Sequence, residues 1–315
     1  MKFITLLPVL PLAAAGVIAS PDAGLTIKSG KEGAQRKTFT LTKTFNLAAG
    51  GAAVKGMGNG ETIRITGAQL CGECTVLEGQ IHLTNAADGS PVDEKVVYNH
   101  HILTNGPMIP FPLKASGMSY AMAGGFVGAG GDNGNSPFMY YDPTQPKSVI
   151  TGYQMKSTTS FSTNVVLVNK SQKPQAIKVN YELEFIPGNK GENVQSALVS
   201  ASMVPKSDGK SRSNVLVWEK PGNFIFGKGH LHVGGESMDM WFWKAGESTA
   251  TAKPYYECHS IAKYEHNDIV GMNSCDPVKV EKGDQVIMES TYKRSLGANA
   301  AAGGNMAMFR MIYAS

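Results

Sequence analysis

Apolar residues in this chain recur at every second position, and that period decides the fold class before composition does. From Ala176 to Ile186, Ile177, Val179, Tyr181, Leu183 and Phe185 alternate with Lys178, Asn180, Glu182 and Glu184. Successive side chains of an extended backbone point to opposite faces, so this segment has the pattern of a half-buried antiparallel strand. Similar segments run from Thr38 to Phe45, Cys74 to Leu83, Lys95 to Tyr98, Asn164 to Val168, Phe224 to Val233, Met238 to Trp243, Gln285 to Tyr292 and Met306 to Tyr313. Gly, Pro, Asn and Asp separate them, and no segment beyond the leader carries the period of a long amphipathic helix. Many short strands parted by turn residues predict an all-β protein built of antiparallel β-sandwiches.

The chain has 315 residues, enough for two such units. The polar stretch Pro187 to Gln195 follows the best strand and reads as a linker, dividing residues 20–190 from 191–315. A net charge of +4, with 17% of residues charged against roughly 25% in ordinary globular chains, excludes polyanion binding by bulk charge. Nothing in the sequence points to nucleic acid. The glycine-rich stretch Gly117 to Asn135 reads as a long loop, because no Lys-Ser or Lys-Thr follows at the spacing of a phosphate-binding loop.

Residues 1–19 read as a secretory signal peptide: Lys2, then a mostly apolar run from Phe3 to Val17 that is too short for a stable membrane span, then small residues. The mature protein is therefore expected to be secreted, with its thiols under oxidising conditions and no membrane span. All four cysteines lie in the mature part, and their separation into an early and a late pair favours the disulfides Cys71 with Cys74 and Cys258 with Cys275 over the other two connectivities. The sequence CGEC could also be a redox or zinc half-site, but no second CxxC accompanies it. Asn169, Lys170 and Ser171 form an N-glycosylation sequon and suggest an exposed turn there.

Four of the seven histidines occur in close pairs. His230 and His232, in GHLHVGG, share a face of an extended strand and can present both imidazoles to one ion, while Leu231 and Val233 point to the apolar side. His100 and His101, in YNHHIL, would point to opposite faces of a regular strand. They can share an ion only where the backbone bends. Each pair can equally be read without metal, as solvated or packed histidines. Met306 and Met308 lie on one face of the last strand, and a thioether joining imidazoles favours copper over zinc, since soft sulfur suits Cu(I). His82, in GQIHLTN, is a further candidate. His259 and His266 lie beside turns and read as solvated. The strand Met240, Trp241, Phe242, Trp243 reads as core with one aromatic face that a carbohydrate could use.

The order His-His, then His-x-His, then a Met opening the last strand resembles the copper type II, ascorbate-dependent monooxygenases. The likeness is greater to the plant stress-up-regulated nodulin proteins, through DEKVVYNHHIL, GHLHVGGES, HNDIVGMNSCDP, KVEKGDQVIMESTY and NMAMFRMIYA. This resemblance implies two jelly-roll domains facing each other across a cleft. It places His100 and His101 at an electron-transferring copper, and His230, His232 and Met306 at a copper that binds dioxygen. It implies a small-molecule or peptide substrate hydroxylated at a C–H bond, with ascorbate or a similar reductant. One departure stands out: the strand from Asn164 to Asn169, where the monooxygenases carry a third histidine, reads NVVLVN. That gap favours the alternative of a non-catalytic, secreted copper-binding or interaction protein on the same scaffold.

Overall fold

The computed structural model describes residues 29–50, 60–114, 121–130, 138–202, 205–265, 268–294 and 305–315. The expected signal peptide, His266 and much of the glycine-rich stretch lie outside the described residues. The protein is an all-β sandwich fold whose strands form four sheets. In the first sandwich, a seven-stranded sheet runs in the order Gln35–Thr40, Gln175–Pro187, Cys74–Asn85, Thr151–Met155 and Glu192–Asn193, with Phe45–Leu47 and Phe138–Met139 pairing at its sides. It faces a four-stranded sheet ordered Glu61–Thr66, Ser160–Asn169, Val97–Asn105 and Gly125–Ala129. Ile177, Val179, Tyr181, Leu183 and Phe185 fill the space between them, as the alternation requires.

The other face of that strand is less solvated than its polar residues imply. Asn180 and Glu184 are buried, because residues at the start of the described chain lie across this side of the sheet. Glu184 accepts hydrogen bonds from the Ser29 backbone N–H and from Arg36 Nε, and Lys31 Nζ donates to the carbonyls of Pro146 and Val149. The cost of desolvating these groups is offset by making those bonds.

Tyr181 shows how a polar tip survives in the first core. Its hydroxyl lies 2.7 Å from Thr104 Oγ1 and 2.9 Å from Thr163 Oγ1, and burial pushes the phenol up to about 12. Tyr181→Phe removes the hydroxyl that bonds both buried threonines and leaves them only their 3.3 Å contact with each other, so urea denaturation is expected to show a loss of about 1–3 kcal/mol with an unchanged m-value.

The second sandwich pairs a six-stranded sheet ordered Ser274–Cys275, Gly222–Leu231, Ala307–Ala314, Gln195–Ser200 and Ala121–Ala123, in which Val278–Val280 also pairs Gly222–Leu231, with a seven-stranded sheet. The latter runs Asp268–Met272, Tyr256–Glu265, Gly235–Trp243, Gln285–Tyr292, Leu216–Trp218 and Leu113–Lys114, with Gly209–Arg212 also pairing Gln285–Tyr292. Two short strands from the first half of the chain, Leu113–Lys114 and Ala121–Ala123, thus complete the sheets of the second sandwich. The disulfides join Cys71 to Cys74 and Cys258 to Cys275, the pairing expected from their spacing. Among the described residues no helix is long and apolar enough to cross a membrane.

One sheet face brings the sandwiches together. Along Ala307–Ala314, Ala307, Phe309, Met311 and Tyr313 enter the second core, while Ile312 and Ala314 pack into the first. Alternation therefore sends Met308 and Arg310 to the junction. Their partners on Gly222–Leu231 follow, with Phe226 opposite Ile312, Lys228 opposite Arg310 and His230 opposite Met308. Arg310 donates to the Phe126 carbonyl and its guanidinium lies 4.0 Å from the centre of the Phe138 ring. A side chain at Gly128 would come within 2.9 Å of Arg310 Nη2 and 3.1 Å of the Ile102 carbonyl, so glycine lets the Arg310 guanidinium lie close against this strand.

Candidate functional site

The bend that adjacent histidines need is present as a β-bulge. Along Val97–Asn105 the pairing with Ser160–Asn169 slips between Val166, opposite His101, and Leu167, opposite Asn99, so that His100 is the extra residue of the bulge. Burial records the same slip: Val97 lies in the core before it, Ile102 and Thr104 after it, so the inward parity changes from odd to even. His100 and His101 consequently project to the same side, which an unbroken strand forbids. Their Nδ1 atoms are 2.9 Å apart. Two nitrogens bound to one ion at about 2.0–2.1 Å and at 90–110° to each other are separated by about 2.8–3.4 Å, so the pair has the spacing of two donors on one metal.

Asn164 fixes the His101 ring. Its Oδ1 lies 2.9 Å from His101 Nε2, while its Nδ2 donates to Thr62 Oγ1 at 3.4 Å. In that orientation Nε2 carries the proton and donates, leaving the Nδ1 lone pair toward His100. Sequence reasoning passed over Asn164 because it looked on this strand for an imidazole. The signal that could have found it is parity: Phe161, Val165 and Leu167 enter the core, so position 164 faces outward with the histidines.

His230 is the penultimate residue of the strand Gly222–Leu231, on its junction face, and His232 begins the turn beyond it, which is closed by Gly235 N–H donating to the His232 carbonyl at 2.9 Å. The His230 and His232 rings are 5.5 Å apart between centres. The His232 ring is 5.4 Å from that of His100, and His100 is 5.0 Å from His101. Four imidazoles, two from each sandwich, thus stand in consecutive contact across the junction. Met308 is directly opposite His230, and continuing the register by two residues sets Met306 opposite His232. Both methionines are half-buried.

Beside the cluster lies a cavity of about 50 Å³ whose walls include His101, Leu103, Phe138, Lys228, His230 and Arg310. Lys228 and Arg310 are both buried. Among the described residues no group of three or more His, Cys, Asp and Glu side chains is arranged to hold a metal ion, so the imidazoles are organised as two pairs in contact.

The remaining candidates lie elsewhere. His82 belongs to Cys74–Asn85, opposite Asn180. Its Nδ1 is enclosed without a partner among the described residues, and burial pulls the imidazole below its usual value. His259 is exposed, with Nδ1 2.7 Å from Asp239 Oδ1 and Nε2 3.6 Å from Glu257 Oε2. Met240 and Phe242 are core residues, while Trp241 faces outward, flanked by the Arg212 guanidinium at 5.9 Å and the edge of His259. Asn169 is the last residue of its strand, and its side chain is folded inward. Nδ2 donates to the carbonyls of Ala48 and Lys173, and Oδ1 accepts from Ser171. A glycan on that nitrogen would have to displace both carbonyl contacts.

No curated protein matches the chain. Residues 159–315 match the sequence model of the family described as Stress up-regulated Nod 19, a span that contains Asn164, His230, His232, Met306, Met308 and the Cys258–Cys275 disulfide, but begins after His100 and His101. That description names neither a metal nor an activity. Over residues 159–315, the match supports the likeness to the nodulin-like family.

Proposed function

We propose that the protein is a secreted copper-binding protein whose two histidine pairs hold copper in the junction between the sandwiches. The observation that carries this reading is the contact of His100 with His232, which joins a pair on the first sandwich to a pair on the second. Adjacent residues on one strand come together for many reasons. Imidazoles from two separate sheets meeting face to edge, one pair at a bulge that turns both rings the same way, need a common purpose. Met306 and Met308 on the same face add soft sulfur donors and favour copper over zinc.

Copper bound there supplies one-electron chemistry with dioxygen and a reductant such as ascorbate. The chain's own part is to orient and enclose. Asn164 sets the His101 tautomer, Arg310 bolts the sandwiches together through Phe126 and Phe138, and the junction buries His101 and half-buries His100, His230 and His232. Under the monooxygenase resemblance, the cavity beside His101 and His230 would receive the C–H group of a small-molecule or peptide substrate.

A second reading, a non-catalytic copper holder, is favoured by Asn164. The amide stands against His101 on the strand where a third imidazole would complete the first site, and an amide oxygen is a weak copper donor. Titration of the full-length mature protein is expected to find one tight copper, lost on replacing His230 and His232, and one weaker copper at His100 and His101. Ascorbate-driven oxygen uptake is expected to be slow or absent. Rapid uptake abolished by His100→Ala would favour the monooxygenase reading, and absence of any copper binding would overturn both.

A further inference from the structure

We infer that Tyr292 is the positioning residue that sets His232 against Met306, making an imidazole and a thioether neighbours where the pairing of Gly222–Leu231 with Ala307–Ala314 ends. The two strands that carry them stop pairing just before these residues: the last ladder pair is Leu231 with Ala307. Among the described residues no ladder pair joins the two strands beyond it. The Tyr292 hydroxyl takes over. It donates to the Met306 carbonyl at 2.5 Å and accepts from the Met306 N–H and the His232 N–H, both at 3.2 Å.

A phenolic hydroxyl has one proton and two lone pairs, and these three contacts match that capacity. They also span both residues at once, which a backbone ladder pair would do with two bonds. The ring reaches this point from the facing sheet. Tyr292 ends the strand Gln285–Tyr292, is 1% exposed and packs in the second core, so its hydroxyl is delivered by a rigid side chain. Nothing in the sequence reading used this residue.

A second tyrosine supplies a comparison within the same turn. The Tyr264 hydroxyl accepts from Gly234 N–H at 2.9 Å and donates to the Gly235 carbonyl at 2.8 Å. It braces the turn after His232 without touching His232 or Met306 through that hydroxyl. If Tyr292 acted only as structural support, losing either hydroxyl should have the same consequences.

The metal readout of this inference rests on the copper reading, so the test has two arms. In the first, the Cu(I)-loaded full-length protein is compared with Tyr292→Phe and Tyr264→Phe by chelator competition and X-ray absorption. Tyr292→Phe should weaken Cu(I) binding about tenfold or more, the usual size of effect when an outer partner of a ligand is lost, and should diminish the sulfur contribution. Tyr264→Phe should leave the sulfur contribution in place. Unchanged Cu(I) binding in Tyr292→Phe, or equal losses in both variants, would overturn the inference.

The second arm needs no metal and no variant. Amide hydrogen exchange of the wild-type protein should show the His232 and Met306 amides protected although they lie past the end of the ladder. Fast exchange at both would overturn the inference even if Tyr292→Phe failed to fold. Protected amides in a protein that binds no copper would retain the clamp and reject the copper reading alone.

Discussion

Replacing His230 and His232 together by alanine is expected to reduce copper affinity by more than about 100-fold while leaving the sandwiches folded. Loss of an outer partner alone costs 10–100-fold in metal sites, and this variant removes two ligands outright. Both side chains are half-buried at the junction, whereas the neighbouring core residues Leu231 and Phe309 are untouched, so circular dichroism and the unfolding transition should change little. Chelator competition checks the affinity. Because His232 is also the ring in contact with His100, the remaining pair should lose affinity as well. Equal copper affinity and stoichiometry in the double variant would remove these residues from the site.

Replacing Cys258 and Cys275 by alanine should produce the largest change in stability, about 3 kcal/mol by the loop-closure estimate for a bridge spanning 17 residues. Both cysteines are buried in the second core, so alanine also forfeits some packing. The consequence should reach the candidate site. The bridged segment includes most of the strand Tyr256–Glu265, whose Tyr264 hydroxyl braces the turn after His232, and Asp268–Met272, whose Asp268 pairs with Lys170 of the first sandwich at 2.6 Å. Guanidinium unfolding without reductant measures the loss. A change below about 1 kcal/mol would mean that the segment is held without its bridge.

What the sequence made legible follows from which forces are local. Alternation at Ile177 through Phe185 fixes which side of a strand meets the core, and that side was read correctly. The disulfide pairing was legible because each partner lies close along the chain. The bulge at His100 was legible only as a requirement. Whether a strand slips by one residue is decided by its partner, here Val166 and Leu167 more than sixty positions away. Burial of Glu184 and Asn180 escaped notice because the cover comes from residues at the other end of the chain.

The contact of His100 with His232 could not be read at all. It depends on how two sandwiches dock, through Phe226, Ile312 and Arg310, and no periodicity encodes that. The same docking makes the choice between Met306 and Met308 a question of register. Met308 stands opposite His230, and Met306 stands opposite His232 through Tyr292. Spacing along the sequence treats the two methionines alike.

The most direct test is metal analysis of the full-length protein, purified without added histidines, loaded with Cu(II), dialysed against a weak chelator and studied by pulsed EPR. Retained copper whose spectrum shows imidazole nitrogen couplings, lost in the His230→Ala, His232→Ala double variant, is the predicted result. Copper removed completely by the dialysis, or retained with the same nitrogen couplings in the double variant, would contradict a copper centre between the sandwiches.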